Sequence, residues 1–295
     1  MLWLYLALIA QFLNAAVILA DKYLVTSKAV SKPVVYAFYV GLLSGVVVLA
    51  APFGAIFPPR LEIIGLSFLI ALSYIFSILF LYKSLAASDA SDVAPVSGAL
   101  AAISTLVFSF VFLNHDLSRN FLTGFILLVV GTLLMSFFRF KKWSALHAVL
   151  AGVLFGLSSV CVKILFNMTS FIDGFFWSRM ANVAGALMLL LWPANLRAVV
   201  QNIKSSTRGT KLLVMGNKGL AGTAFLLILL AINLGDVSIV NALAGAQFLF
   251  LLLFALIFTK KFPGYFFETV HRRHIIIQKL TGIILISAGL VFLFL

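Results

Sequence analysis

Ten long apolar runs, each bounded by a charge, a proline or a polar cluster, predict helices at about 2–21, 34–56, 61–83, 93–113, 121–138, 144–166, 171–192, 211–233, 237–259 and 276–295. Most have the roughly 20 residues that a helix needs to cross about 30 Å of hydrocarbon. The runs are continuous and lack the inside/outside alternation of a strand, so helices are the spanning element. Pro33, Pro58, Pro59 and Pro193 fall at run ends, where proline punctuates a helix. The pattern predicts an all-α integral membrane protein with ten transmembrane helices.

The pattern also repeats. One segment opens DVAPVSGAL at Asp92 and closes LTGFILLVVG (Leu122–Gly131); another opens DVSIVNALAG at Asp236 and closes LTGIILISAG (Leu280–Gly289). The openings are 144 positions apart and the closings 158, so the second copy carries 14 extra residues, in the polar stretch Thr259–His274. Leu13–Lys22 aligns with Leu154–Lys163, which sets Lys22 and Lys163 at matching helix ends, and Tyr39 and Gly45 align with Arg179 and Gly185. The chain thus divides into two five-helix repeats, 1–140 and 141–295. Five spans is an odd number, so the second repeat enters the membrane inverted. Such repeats are a transporter device, with two similar halves rocking around a site near the midplane.

Charge is consistent with the inversion. With the N-terminus placed outside, sixteen of the 21 lysines and arginines fall on the cytoplasmic side. Arg60, Arg119 and Lys163 fall outside, and Arg179 and Lys218 lie within spans. The positive-inside rule then favours both termini outside.

Composition excludes a water-soluble core. The chain is 63% hydrophobic and 10% charged, against about 45–50% and about 25% for a soluble domain. The net charge of +13 fits basic cytoplasmic loops facing anionic lipid rather than nucleic acid. Cys161 is alone, so no internal disulfide forms. Residues 1–20 lack the basic leading region of a signal peptide, and the first run has an internal counterpart. There is no phosphate loop, nucleophile–base set or clustered metal ligands, so an enzyme, a cofactor or a metal is not expected. His271 and His274 flank two arginines in a basic interfacial stretch.

On these features the chain resembles the drug/metabolite transporter superfamily, in particular its ten-helix EamA-type members. The five-plus-five duplication, the lysines after helices 1 and 6, the small-residue helices starting at Asp92 and Asp236, and the closing LTG-x6-G elements carry the resemblance. It covers essentially the whole chain. The turns before the closing helices read NHDLSRN (Asn114–Asn120) and TKKFPGYFFETVHRRH, the second longer and basic. The resemblance implies a secondary transporter with a cavity lined by helices 1–4 and 6–9, and helices 5 and 10 as peripheral support.

Polar groups inside spans need a partner or water. Arg179 lies about 12 Å into its helix, near Trp177 and Asn182. It either holds a substrate carboxylate or phosphate or snorkels to the interface. Lys218 follows Asn217 among Gly216, Gly219 and Gly222, which are expected to let helices approach closely with the cation aimed inward. Ser97, Gly98, Ala101 and Ala102 line one small-residue helix, and Asn241, Ala242, Ala244, Gly245 and Ala246 the other. Ser97, Asn241 and Gln247 are candidates for substrate hydrogen bonds or for interhelical contacts. Asn14, Tyr39, Tyr74 and Tyr82 are further cavity candidates. Asp89, Asp92 and Asp236 stand at helix starts, where a carboxylate caps. No acidic residue is expected deep in a span.

The expectation is a permease or exporter of a small polar organic metabolite, an amino acid or similar zwitterion first, in a cell (inner) membrane. A nucleotide-sugar or phosphorylated-metabolite carrier and a non-transporting scaffold are the alternatives. The expected partners are a small-molecule substrate and the lipid bilayer, not nucleic acid, with the chain a monomer or homodimer.

Overall fold

The computed structural model describes residues 2–26, 32–53, 58–88, 90–113, 119–136, 140, 143–205, 208–258 and 273–294. Among these residues twelve helices follow in order: α1 (Leu2–Thr26), α2 (Pro33–Leu43), α3 (Leu61–Ala87), α4 (Ala90–Leu113), α5 (Arg119–Leu134), α6 (Ser144–Met168), α7 (Phe171–Met188), α8 (Pro193–Ser205), α9 (Arg208–Leu234), α10 (Val237–Ala242), α11 (Ala246–Phe258) and α12 (Arg273–Phe294). Tighter 3₁₀ coil continues α2 over Ser44–Phe53 and α7 over Leu189–Leu191, and joins α10 to α11 over Leu243–Gly245. There is no strand among the described residues.

Among the described residues, six segments are long and apolar enough to cross a membrane: Leu2–Asp21, Leu61–Ala87, Asp92–Leu113, Ser144–Met168, Phe171–Leu191 and Lys211–Leu234. Pro33–Leu49, Phe121–Leu134, Val237–Leu251 and Ile277–Phe292 are shorter apolar helices. Large side chains such as Leu61, Val111, Ile126 and Ile284 stay exposed. That surface suits lipid contact, not water. The molecule is an all-helical, multi-pass membrane protein. Most of the Thr259–His274 stretch, Asp89 and most of the turn after α4 lie outside the described residues.

The pattern of apolar runs missed α8. Its sequence, PANLRAVVQNIKS, is too polar for a span. Pro193 opens it with the missing N–H at a position where no intrahelical bond is due, and Asn195 Nδ2 donates to the Leu189 carbonyl at 2.9 Å. Ala198, Val199 and Asn202 face the bundle, while Leu196, Val200 and Ile203 point outward.

The lysines expected to end helices lie inside them. α1 runs on to Thr26 and α6 to Met168. The Lys163 ammonium instead reaches the end of α9, donating to the carbonyls of Ile232 (2.9 Å), Asn233 (3.2 Å) and Gly235 (3.0 Å). These carbonyls have no intrahelical donor, and a cation there also meets the negative end of the helix dipole. At the other kind of terminus, Asp236 caps α10 by accepting from the amides of Ser238 and Ile239 at 2.7 and 2.9 Å. Asp92, buried in the first turn of α4, accepts from Ser136 Oγ at 3.1 Å.

Helices pack in lipid by close fit rather than by a hydrophobic drive, and glycines set the closest approaches. On α6, a Cβ at Gly152 would meet the Ser97 carbonyl at 2.6 Å, and one at Gly156 the Ala101 carbonyl at 2.9 Å. Ser97 and Ala101 of α4 thus lie against α6, whereas a Cβ at Gly98 would meet nothing within 4 Å. On α5, a Cβ at Gly131 would meet the Gly282 carbonyl of α12 at 2.8 Å; on α12, one at Gly289 would meet the Gly124 carbonyl at 2.9 Å. Position rises along one helix as it falls along the other, so α5 and α12 are antiparallel. The other main pairings are α3 with α6, α1 with α9, α3 with α7, α4 with α10, α2 with α7 and α1 with α11.

Candidate functional site

Two buried polar tiers stand in the bundle. The first is on α7. Arg179 is 5% exposed, and its Nε and Nη2 have no hydrogen-bond partner. Its guanidinium carbon lies 4.7 Å from the Phe225 ring of α9 and 5.5 Å from the Tyr74 ring of α3. Cation–π attraction of about 0.5–2 kcal/mol offsets only part of the cost of desolvating a guanidinium. Asn182, one turn on, is fully buried with neither side-chain polar atom bonded. Four of the six unpartnered buried side-chain polar atoms among the described residues belong to these two residues. Each such atom costs about 1–3 kcal/mol. Three of these four atoms are donors, Arg179 Nε and Nη2 and Asn182 Nδ2, so one helical turn presents a cluster of donors able to hold an acceptor-rich group.

The second tier joins four helices. Asp21 of α1 is buried and holds four donors. Its Oδ1 accepts from Lys218 Nζ at 2.9 Å, from Asn217 Nδ2 at 2.5 Å and from the Tyr36 hydroxyl. Its Oδ2 accepts from the Tyr82 hydroxyl at 3.2 Å. Lys218 Nζ also lies 3.2 Å from the Tyr82 hydroxyl and 4.1 Å from the Tyr36 ring centroid. The two rings are 4.5 Å apart. A buried ion pair survives only when its remaining hydrogen-bonding capacity is filled, and here tyrosines and an amide fill it.

Asp21 was missed in the sequence because the first apolar run ends there. A signal was present. Ala7, Ala10, Val17, Asp21 and Leu24 share the three- and four-residue spacing of one helix face, and all are buried. Tyr36 and Phe225 are not among the sequence candidates, since nothing local sets them apart from the other aromatic residues of the apolar runs.

The tiers are separate. Lys218 and Phe225 are seven residues apart on α9, about 10 Å along its axis; Tyr74 and Tyr82 are eight apart on α3, about 12 Å. The structure thus groups Arg179, Asn182 and Tyr74 at one level, and Lys218, Asn217 and Tyr82 at the other. The remaining candidates are dispersed. Trp177 is half-buried beside Phe176, and two residues before Arg179 it faces elsewhere. The Tyr39 hydroxyl donates to Asn202 of α8 at 3.2 Å. Asn241 Nδ2 donates to Thr105 Oγ1 at 2.7 Å, tying α10 to α4. Ser97 Oγ donates to the Ala94 carbonyl within its own helix. Gln247 is buried on α11 and Asn14 half-buried on α1.

The glycines around Lys218 do not perform their expected task. Gly216, Gly219 and Gly222 are exposed, and a Cβ at any of them would meet nothing within 4 Å. On a helix they fall on the outward face while Asn217 and Lys218 face inward. No group of three or more potential metal ligands occurs among the described residues.

No family model and no curated relative matches the sequence. The fold matches a solved structure described only as "Crystal structure of protein", with a TM-score of 0.65 and 16% identity over 96% of this chain and 97% of that chain. At that identity the likeness is one of fold alone.

Proposed function

We propose that the protein is a carrier for a small polar organic metabolite, an amino acid or similar zwitterion first, whose carboxylate is held by Arg179 and Asn182. The observation that carries this reading is the buried, unpartnered guanidinium beside an unpartnered amide. A carboxylate offers lone pairs to both, and the guanidinium fork suits its two oxygens. Tyr74 and Phe225 wall the place it would occupy.

Ten spans in two inverted five-helix repeats complete the proposal. The antiparallel contact of α5 and α12 supports it, because the two LTG-x6-G elements meet with the last glycine of each against the first of the other, Gly131 with Gly282 and Gly289 with Gly124. Exchanging the repeats also turns the α1–α9 pairing into α6–α3, and α4–α6 into the contact of α1 with α11. Rocking of one repeat against the other would then open Arg179 to either side of a cell membrane, with the lysine-rich loops cytoplasmic.

The test is uptake by proteoliposomes. Labelled amino acids are expected to accumulate and nucleotide sugars to stay out; the opposite result transfers the guanidinium to a phosphate. Arg179→Ala is expected to lower uptake about 100-fold, the loss of roughly 3 kcal/mol of charged hydrogen bonding, with expression and melting temperature kept. Undiminished transport by that variant would remove Arg179 from the site. Absence of flux with every substrate would leave a scaffold.

A further inference from the structure

We propose that the Asp21–Lys218 pair is a proton-binding site coupled to the anion site at Arg179, so that a proton and the substrate anion bind together. The proposal rests on the carrier reading and adds its coupling. A buried ion pair is weak evidence for stability, since apolar residues of similar volume serve as well, whereas ionisable groups inside spans mark ion and proton pathways. This pair is also wired for proton movement. Asp21 is in direct hydrogen-bond contact with the two tyrosine hydroxyls and the lysine ammonium, and the Tyr82 hydroxyl in turn lies 3.2 Å from Lys218 Nζ.

The sign of the coupling follows from charge alone. With both groups ionised the pair sums to zero. Taking up one proton brings it to +1, whichever of the two residues holds the proton. The tiers are about 10 Å apart along the bundle, and α3 touches both, with Tyr74 under the Arg179 guanidinium at 5.5 Å and Tyr82 bonded to Asp21 at 3.2 Å. At an effective dielectric of about 20, one added charge at that distance strengthens anion binding about tenfold. Linkage is reciprocal, so a bound anion strengthens proton binding by the same factor. Proton and anion would therefore travel in the same direction, and an exchange of one for the other is disfavoured.

The groups facing Asp21 are Tyr36 from α2, Tyr82 from α3, and Asn217 and Lys218 from α9. Lys83, beside Tyr82 in sequence, is exposed over the Phe80 ring. Asp173, a buried acid on α7, lies six residues from Arg179, about 9 Å along the helix. It belongs to the first turn, where its amide takes the Ser170 cap.

The experiment uses the full chain in lipid nanodiscs, with methanesulfonate as probe because its charge is the same at acidic and neutral pH. Binding is read by calorimetry, and protonation by the infrared carboxylic-acid band. The expected result is about tenfold tighter binding at acidic pH and a carboxylic-acid band that grows on acidification. Asp21→Asn, which leaves the pair at +1, is expected to bind tightly at both pH values and to lose the band. If that variant does not fold, Tyr82→Phe removes one donor from the carboxylate and is expected to move the acidification midpoint to higher pH. Equal binding at both pH values, or a band unaffected by Asp21→Asn, overturns the proposal. Arg179→Gln is expected to lose binding and keep the band. No binding by the unsubstituted protein at either pH overturns the anion site, and with it the coupling, even where the band remains.

Discussion

Lys218→Met is expected to destabilise the protein by about 3–5 kcal/mol, because it leaves the Asp21 carboxylate buried without its counter-charge. Methionine keeps much of the lysine stem and removes the ammonium, so packing against the Tyr36 and Tyr82 rings is largely preserved. What is lost is the 2.9 Å ion pair. Asn217, Tyr36 and Tyr82 remain as donors, but none carries charge. Asp21→Asn is expected to cost less, since the amide oxygen still accepts from the tyrosines and the ammonium keeps its contacts with the Tyr36 and Tyr82 rings. The double variant Asp21→Asn/Lys218→Met is expected to recover most of the loss, as removal of both partners of a buried pair commonly does. Unfolding by denaturant in micelles measures all three. A Lys218→Met effect within about 0.5 kcal/mol, the range of exposed pairs, would mean that this pair is solvated and the tier is not buried.

Gly131→Leu is the second large effect expected. A Cβ at Gly131 would lie 2.8 Å from both the Gly282 carbonyl oxygen and Ile286 Cγ1, and 2.9 Å from the Ile286 amide nitrogen. Two of these three atoms are backbone of α12 and cannot rotate aside. Overpacking of this kind costs about 1–3 kcal/mol for small additions and more for larger ones, so leucine is expected to part α5 from α12. Gly216→Ala is the matched control. Nothing lies within 4 Å of its Cβ, and alanine in a helix is favoured over glycine by about 1 kcal/mol, so a neutral or slightly raised melting temperature is expected. Equal tolerance at Gly131 and Gly216 would deny that α5 and α12 are in close contact.

Part of the site was legible and part was not, for reasons that differ by residue. Arg179 and Lys218 were visible because a cation in a long apolar run is conspicuous whatever it touches. Asp21 was not, because it ends the first apolar run and is followed by Lys22, so it looked like an interfacial residue. Only the continuation of α1 to Thr26 carries it inside the bundle. The roles of the glycines were inverted. Those around Lys218 drew attention by their density yet face outward, while isolated Gly131 and Gly152 sit where helices touch. Glycine composition says that close approach is possible, not on which face a neighbour lies.

The sequence by itself determined the helical, membrane-embedded character of the chain and placed the ten apolar segments to within a few residues at most ends. Hydrophobic run length against the thickness of hydrocarbon is a local property, and so is the capping position of Asp236. Only the tertiary structure decided that Lys218 is already paired with Asp21, that Lys163 caps α9, that Asn241 ties α10 to α4, and that Arg179 Nε and Nη2 and the Asn182 amide have no hydrogen-bond partner. The pairs join residues 69 to 197 positions apart. Whether a buried polar group is satisfied depends on which distant helix lies against it, and no local pattern contains that distance.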